Sequence, residues 1–272
     1  CRFVTAAVTI DRPRWRIAAE QSFALAVRSV RNTARDPGAW VPPMIFPLVL
    51  AAIYGAQFSR ATELPGFPEV DSFLQFILPA SILQGVAFNA GDAGTGMATD
   101  IQNGFFDRLM SSPTSRLAVF IGRLAGAIVF SAILATVLVL IFTVFGAPVQ
   151  GGVVAAFALI VIAAFLAVAI GGFSLAVAIR TGSSEATQAM FPLTFVIIFV
   201  SSAFFPTGLM TGWYQEVAEV NPFTLIVNPA RQIALSGFDW GDFGQAMFWV
   251  AAVSFVSLGL SYRAYLTRLR RS

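Results

Sequence analysis

The stretch VVAAFALIVIAAFLAVAIGGFSLAVAI, residues 153–179, contains no charged side chain. A helix of about 20 mostly apolar residues is long enough to cross the hydrocarbon core of a bilayer. Five other stretches approach the same length and hydropathy, so the chain is predicted to be an all-α, polytopic membrane protein. The six predicted transmembrane spans are residues 40–58, 73–97, 118–145, 153–179, 189–205 and 243–266.

The overall composition agrees with this prediction. Of the 272 residues, 57% are hydrophobic and 11% are charged, whereas a soluble domain carries about 25% charged residues. The chain has no histidine and a single cysteine, Cys1, which excludes a His-based catalytic triad and an internal disulfide. We expect no catalytic residue, cofactor or metal site in this chain. Cys1 is expected to lie inside a longer chain rather than to mark a processed lipoprotein.

The basic residues predict the orientation of the spans. All 17 are arginines. If the N-terminus is cytoplasmic, only Arg60 and Arg231 fall in outer loops, which leaves 15 of the 17 inside. Positive charge is retained on the cytoplasmic side, so both termini are predicted to be cytoplasmic. The net charge of +3 is explained by this orientation, and we expect no nucleic-acid partner.

The spans divide the chain into two predicted regions. Residues 1–39 form a cytoplasmic tail with an amphipathic helix over 14–36 that lies in the membrane interface, although an ordinary juxtamembrane tail is the alternative. Residues 40–272 form the six-span domain. Between spans five and six, residues 206–242 predict an outer re-entrant segment with short helices, because Asn-Pro pairs interrupt an amphipathic stretch.

The loop over residues 98–118 carries apolar and aromatic side chains beside charged ones, which is typical of a docking surface. The alternative is that this loop packs on the protein's own helices or on lipid headgroups. Glu185, in the next cytoplasmic loop, is a second expected contact to a partner. The candidate coupling residues of the first loop are Asp100, Gly104, Phe105, Phe106, Asp107, Arg108, Leu109, Met110 and Pro113.

The spacing of polar residues in the second span predicts a polar seam along one helix face. Asn89 and Asp92 fall near this face, and Asp92 is the one acid inside a predicted span. Intramembrane acids are often functional, but Asp92 also lies close to the cytoplasmic end, where water reaches it. The glycines of residues 91–96 lack the lysine of a phosphate-binding loop and are expected to allow close helix packing.

Two motifs resemble the ABC-2 type permeases, closest to their daunorubicin-resistance, drug-export branch. The first runs from Asp100 through Gly104-Phe105-Phe106-Asp107-Arg108 to Arg123, and the second covers residues 221–237. The resemblance implies two permease chains, alike or different, and two ABC ATP-binding subunits that bind ATP and Mg²⁺. It also implies a bacterial inner-membrane location among membrane lipids. The permease pair is expected to meet through spans one and five, near Gly55, Ser201 and Ser202.

The predicted function is ATP-driven export of a hydrophobic or amphipathic drug or lipid-like substrate. Export of a lipid-linked glycan or polysaccharide is the alternative within the family, although tryptophan and tyrosine, which stack on sugars, are scarce in the spans. An ion-coupled secondary carrier is the alternative from another class. Such carriers need buried ionisable groups near the midplane, and only Asp92 comes close.

Overall fold

The computed structural model describes residues 14–105, Arg108 and residues 116–269, and within these ranges the chain is helical without strands. Short 3-10 turns cover Ser59–Glu63 and Thr207–Leu209. The α-helices are α1 (Arg14–Arg35), α2 (Pro37–Gln57), α3 (Phe73–Ala90), α4 (Asp92–Gln102), α5 (Arg116–Val144), α6 (Gly152–Thr181), α7 (Ser184–Gln188), α8 (Met190–Phe199), α9 (Trp213–Val220), α10 (Pro222–Ser236) and α11 (Trp240–Leu269).

In the part of the chain that the structure describes, five membrane-length apolar helical segments confirm the prediction of an all-α, polytopic membrane protein. They are α2, the continuous pair α3–α4, α5, α6 and α11. The α3–α4 segment is the centre of the bundle. In its apolar stretch 94% of the residues are buried, against 17% in α2 and in α11. The two outer helices therefore present most of their surface to lipid or to another chain.

The two ends of the bundle differ in charge. One end, here called the basic end, carries α1 together with Arg123, Arg180 and Arg268. The opposite end, here called the acidic end, carries the connection between α2 and α3 and the helices α9 and α10. Its acidic side chains are Glu63, Glu69, Asp71, Glu216, Glu219, Asp239 and Asp242.

Helix α1 packs along the start of α5 at the basic end. A Cβ atom at Gly122 would lie 2.6 Å from Leu25 Cβ, and one at Gly126 would lie 2.6 Å from Ser29 Cβ. Two glycines four residues apart thus let the two helices approach closely. Phe23 of α1 is 72% exposed, so its side chain takes no part in this contact with α5.

The fifth predicted span, residues 189–205, is shorter than expected. Its helix α8 has 10 residues and ends at Phe199, so the count of six full spans stays a prediction. The carbonyl groups at the end of α8 are capped by side chains from the acidic end. Tyr214 donates its hydroxyl to Phe199 O at 2.5 Å, and Asn221 Nδ2 donates to Ile197 O at 2.8 Å and to Val200 O at 2.7 Å.

Arg231 holds the segment that follows α8. Its Nη2 donates to the carbonyls of Ser202 at 2.8 Å and Ala203 at 3.1 Å, and its Nε donates to Phe76 O at 3.0 Å. The guanidinium also lies 3.9 Å from the centroid of the Phe76 ring. Arg231 is only 5% exposed, so this side chain ties the break after α8 to the central helix rather than lying in a solvated outer loop.

Replacing Arg231 by Met is expected to destabilise the protein strongly. Leaving the carbonyls of Ser202 and Ala203 buried without a donor costs roughly 1–3 kcal/mol each. Thermal unfolding of the purified protein in detergent measures the effect. Arg60→Met is the matched control, because Arg60 is exposed at the same end. Equal unfolding temperatures for the two variants would contradict the assigned role of Arg231.

Candidate functional site at the basic end

Asp100, near the end of α4, joins three helices at the basic end. Its Oδ1 lies 3.1 Å from Arg28 Nη2 of α1, and its Oδ2 pairs with Arg123 Nη2 of α5. Arg123 Nη2 also donates to Gly96 O at 2.8 Å. The Asp100 and Arg123 side chains are 17% and 14% exposed. An acid between two arginines, largely withdrawn from water, makes the relative positions of α1, α4 and α5 interdependent.

The first candidate coupling residues after α4 adjoin this ion-pair cluster. The Arg28 guanidinium lies 3.9 Å from the centroid of the half-buried Phe105 ring, a cation–π contact. Gly104 turns the chain with φ +66, in the left-handed region that glycine adopts most readily. Arg108 is exposed and donates to Asn103 O at 3.2 Å and to Gly104 O at 3.3 Å. Arg28 thus links α1 to the first turn of the loop.

The remaining candidate coupling residues of this loop lie outside the described residues. They are Phe106, Asp107, Leu109, Met110 and Pro113.

Glu185 lies in the short helix α7, which follows α6 at the basic end. The hydroxyl of Ser183 donates to Glu185 Oε2 at 2.6 Å and lowers the pKa of this carboxyl, which is fully exposed. The neighbouring Ser184 Oγ donates to Gln102 Oε1 at 3.3 Å. The structure therefore brings the turn that carries Glu185 against the end of α4, beside the start of the 98–118 loop.

The polar seam of the second span faces protein rather than lipid. Ser81 and Asn89 are buried, and Asn89 Nδ2 donates to Ala39 O at 3.4 Å. Asp92 Oδ2 accepts a hydrogen bond of 3.0 Å from the hydroxyl of Thr33 on α1. Asp92 also lines two cavities, of about 500 Å³ and about 240 Å³. Water can thus reach this carboxylate from within the bundle.

The sequence assigns no site role to Arg28 or to Arg123, although Arg123 ends the first of the two motifs. Arg123 stands between Gly122 and Gly126, in the glycine pair that packs on α1. A charged residue inside a close helix contact needs a partner, so this spacing indicates that Arg123 is paired, but it does not identify Asp100 as the partner. Within the described residues, no group of three or more acidic or cysteine side chains could hold a metal ion.

Together, the membrane-length helices, the polar cluster at one end and the cavities beside it are the features of a helical membrane transport protein. Residues 20–235 match the ABC-2 type transporter family, and the chain belongs to that family.

Three named relatives are similar over most of their length. The daunorubicin resistance ABC transporter permease protein DrrB1 of Streptomyces coeruleorubidus is 28% identical over 220 residues, which cover 80% of this chain and 72% of the relative. The putative transport permease ycf38 of Cyanophora paradoxa is 24% identical over 221 residues, which cover 78% of this chain and 73% of that relative. The putative transport permease ycf38 of Porphyra purpurea is also 24% identical, over 219 residues that cover 80% of this chain and 74% of that relative.

Asp100 and Arg123 are expected to be energetically coupled. The destabilisation of the double variant Asp100→Asn, Arg123→Gln should fall below the sum of the single effects by about 0.5–3 kcal/mol, the range found for residues in direct contact. Denaturant titration in detergent micelles gives the four stabilities. Arg263→Gln, an exposed arginine of α11, serves as the control partner and should add to Asp100→Asn without coupling. Additivity for both pairs would show that the Asp100–Arg123 contact contributes nothing.

Proposed function

We propose that the chain is the transmembrane subunit of an ATP-driven exporter that moves a hydrophobic or amphipathic substrate out of the cell. Membership of the ABC-2 type transporter family supports the permease role. The family implies a separate ABC ATP-binding subunit, which binds ATP and Mg²⁺. The observation that carries the proposal is the ion-pair cluster of Asp100, because it connects the candidate docking loop to three helices of the bundle.

In the proposed orientation, the basic end faces the cytoplasm of a bacterial cell and the acidic end faces outward. The arginines of α1, α5 and α11 support this orientation, because cytoplasmic segments of membrane proteins are enriched in Arg and Lys. The buried position of Arg231 strengthens the argument, since this residue no longer counts as a charge on the outer surface.

Cysteine labelling in intact cells tests the orientation. In a Cys1→Ser background, an impermeant thiol reagent should label Ser236→Cys and leave Thr114→Cys unmodified until the cells are permeabilised. Ser236 is exposed at the acidic end, which makes it a suitable reporter. Labelling of Thr114→Cys in intact cells with no reaction at Ser236→Cys would reverse the orientation.

The 98–118 loop is proposed to transmit force from the ATP-binding subunit. The Phe105 ring lies against Arg28, and Arg28 in turn pairs with Asp100. Displacement of Phe105 by a docked partner would thus act directly on α1 and α4. When a partner covers apolar surface of the loop, the free energy of docking becomes more favourable by about 25 cal/mol per Å². Charged groups beside that surface mainly set the register of docking.

Replacing both Phe105 and Phe106 by Ala should weaken docking of the ATP-binding subunit or uncouple ATP hydrolysis from export. The measurements are co-purification of that subunit, substrate-stimulated ATP turnover and export by the reconstituted complex. Phe248→Ala is the control, because Phe248 is a 64% exposed phenylalanine of α11, away from the loop. If the double variant keeps docking, stimulation and export at the wild-type level, the loop is not the coupling element.

The complex is proposed to contain two permease chains, alike or different, and two ATP-binding subunits. Unpartnered apolar side chains on α2 and α8, such as Ile45, Val49 and Val196, support pairing through this face. Ser201 and Ser202, expected from the sequence near the pairing surface, are instead buried within the chain. The interface is therefore proposed to consist of large aliphatic side chains rather than of these serines.

A further inference from the structure

A further cavity at the basic end lies between the last turns of α6 and the last turns of α11, and it is here called the α6–α11 cavity. Its volume is about 670 Å³, within the range of roughly 300–1,000 Å³ that is usual for small-molecule sites. The lining residues that matter for the argument are Val177, Arg180, Leu260, Arg263, Ala264 and Arg268.

Contacts on two sides fix the separation of α6 and α11 at this cavity. Toward the middle of the bundle, a Cβ atom at Gly172 would overlap Ser257 Oγ, and Ser261 Oγ donates to Gly172 O at 2.5 Å. Toward the end of the helices, Arg268 Nη1 donates to Ile179 O at 3.0 Å. The α6–α11 cavity lies between a close helix contact and a hydrogen bond, so its shape is set by the packing of the two helices.

The charge of the α6–α11 cavity is positive. Among the described residues that line it, the ionisable ones are Arg180, Arg263 and Arg268. Arg180 and Arg263 are exposed, and neither forms a salt bridge with an acid in the described part of the chain. Glu185, the acid that follows α6, accepts hydrogen bonds from two serine hydroxyls instead. Guanidinium groups bind phosphate through paired N–H donors, so this cavity is suited to a phosphate group.

The remaining wall of the α6–α11 cavity is apolar. Val177, Leu260 and Ala264 line it, and Leu260 is 43% exposed. Leu260 belongs to the membrane-length helix α11, in whose apolar stretch only 17% of the residues are buried. Exposed apolar surface on such a helix is covered by acyl chains in a bilayer. The cavity therefore places phosphate-binding side chains directly beside surface that acyl chains can cover.

We propose that the α6–α11 cavity binds one anionic phospholipid. The phosphate lies against Arg180 and Arg263, and the acyl chains run along Val177 and Leu260, so that the lipid connects α6 to α11. A zwitterionic headgroup binds more weakly, because its cationic part meets the arginines as like charge. An acidic segment of a protein partner could pair with the arginines but would leave the apolar wall uncovered.

The charge of the membrane agrees with this assignment. Basic pockets between membrane helices on the cytoplasmic side bind anionic lipid headgroups. In the orientation proposed above, the α6–α11 cavity opens at the level of the cytoplasmic leaflet. Binding of the lipid to the isolated chain depends neither on this orientation nor on export.

Native mass spectrometry of the full chain, released from dodecyl maltoside micelles, tests the site by counting bound lipids. The probes are phosphatidylglycerol, which is anionic, and phosphatidylcholine, which is zwitterionic, with the same dioleoyl chains. The first phosphatidylglycerol should bind about tenfold or more tightly than phosphatidylcholine. Replacing both arginines, Arg180→Gln with Arg263→Gln, should weaken that binding about 25-fold, because one arginine near an anionic headgroup contributes about fivefold. Phosphatidylcholine binding should stay unchanged.

Two further variants separate charge from shape. Arg180→Lys with Arg263→Lys keeps the charge and should retain most of the affinity for phosphatidylglycerol. Ala264→Phe keeps all three arginines but places a ring in the cavity, so it should weaken phosphatidylglycerol binding as well. Thermal unfolding in phosphatidylcholine checks that each variant is folded, and phosphatidylglycerol should raise the unfolding temperature of the wild type alone and of the lysine variant.

Arg31→Gln with Arg35→Gln is the matched control, since these exposed arginines of α1 lie at the same end and carry the same charge. Four outcomes would overturn the proposal: no preference of the wild type for phosphatidylglycerol, equal losses in the two glutamine double variants, wild-type affinity in Ala264→Phe, or displacement of the lipid by an equal concentration of glycerol phosphate. The last result would assign the cavity to a small soluble anion.

Co-purification of the ATP-binding subunit distinguishes the lipid from a protein partner. The double variant Arg180→Gln, Arg263→Gln should lose phosphatidylglycerol and keep the subunit. Loss of the subunit with unchanged phosphatidylglycerol binding would assign these arginines to a protein interface and contradict the lipid site.

Discussion

The architecture depends on the requirement that every backbone polar group inside a bilayer finds a partner within the protein. Helix α8 ends at Phe199, and its last carbonyls would have no partner in lipid. Side chains of the acidic end supply the donors: Tyr214, Asn221 and Arg231 bond the carbonyls of the break. Thr224 Oγ1 accepts from Ser202 N at 2.9 Å. The polar residues between 221 and 231 therefore make a half-length helix tolerable in the membrane.

The central pair α3–α4 connects this capped break to the opposite end. Arg231 Nε donates to Phe76 O near the start of α3, while Asp100 near the end of α4 pairs with Arg28 and Arg123. Between them, Ser174 Oγ of α6 donates to Gly91 O at 2.7 Å, where α3 passes into α4. Because this segment is almost wholly buried, it cannot move independently of its neighbours. If the 98–118 loop docks a partner as proposed, a displacement of α4 would accordingly reach the acidic end.

Composition and the length of apolar runs are sufficient to predict the helices of this chain. The side-chain contacts between distant helices are not predicted by them. Apolar runs and the placement of Asn221-Pro222 were sufficient to predict the long helices and the short ones after residue 206. The sequence places Arg231 in an outer loop, because charge alone does not reveal that carbonyl groups of residues distant in sequence surround the guanidinium. The same limit concealed the pairing of Asp100 with Arg28, whose positions are 72 residues apart.

Aromatic rings follow one another along α2 and α8, from Phe88 and Phe191 at the basic end to Phe58 at the end of α2, and the two ends of this row differ in their surroundings. At the basic end, Phe88 and Phe191 border a cavity that contains carboxylates. At the acidic end, Phe67 packs on Phe76 at 4.8 Å and on Phe205 at 6.0 Å, and these rings fill the space beside the Arg231 contacts. Rings can slide past one another without losing hydrogen bonds, whereas the Arg231 contacts are directional. A movement of α10 at the acidic end must therefore either break the hydrogen bond from Arg231 to Phe76 O or carry α3 with it.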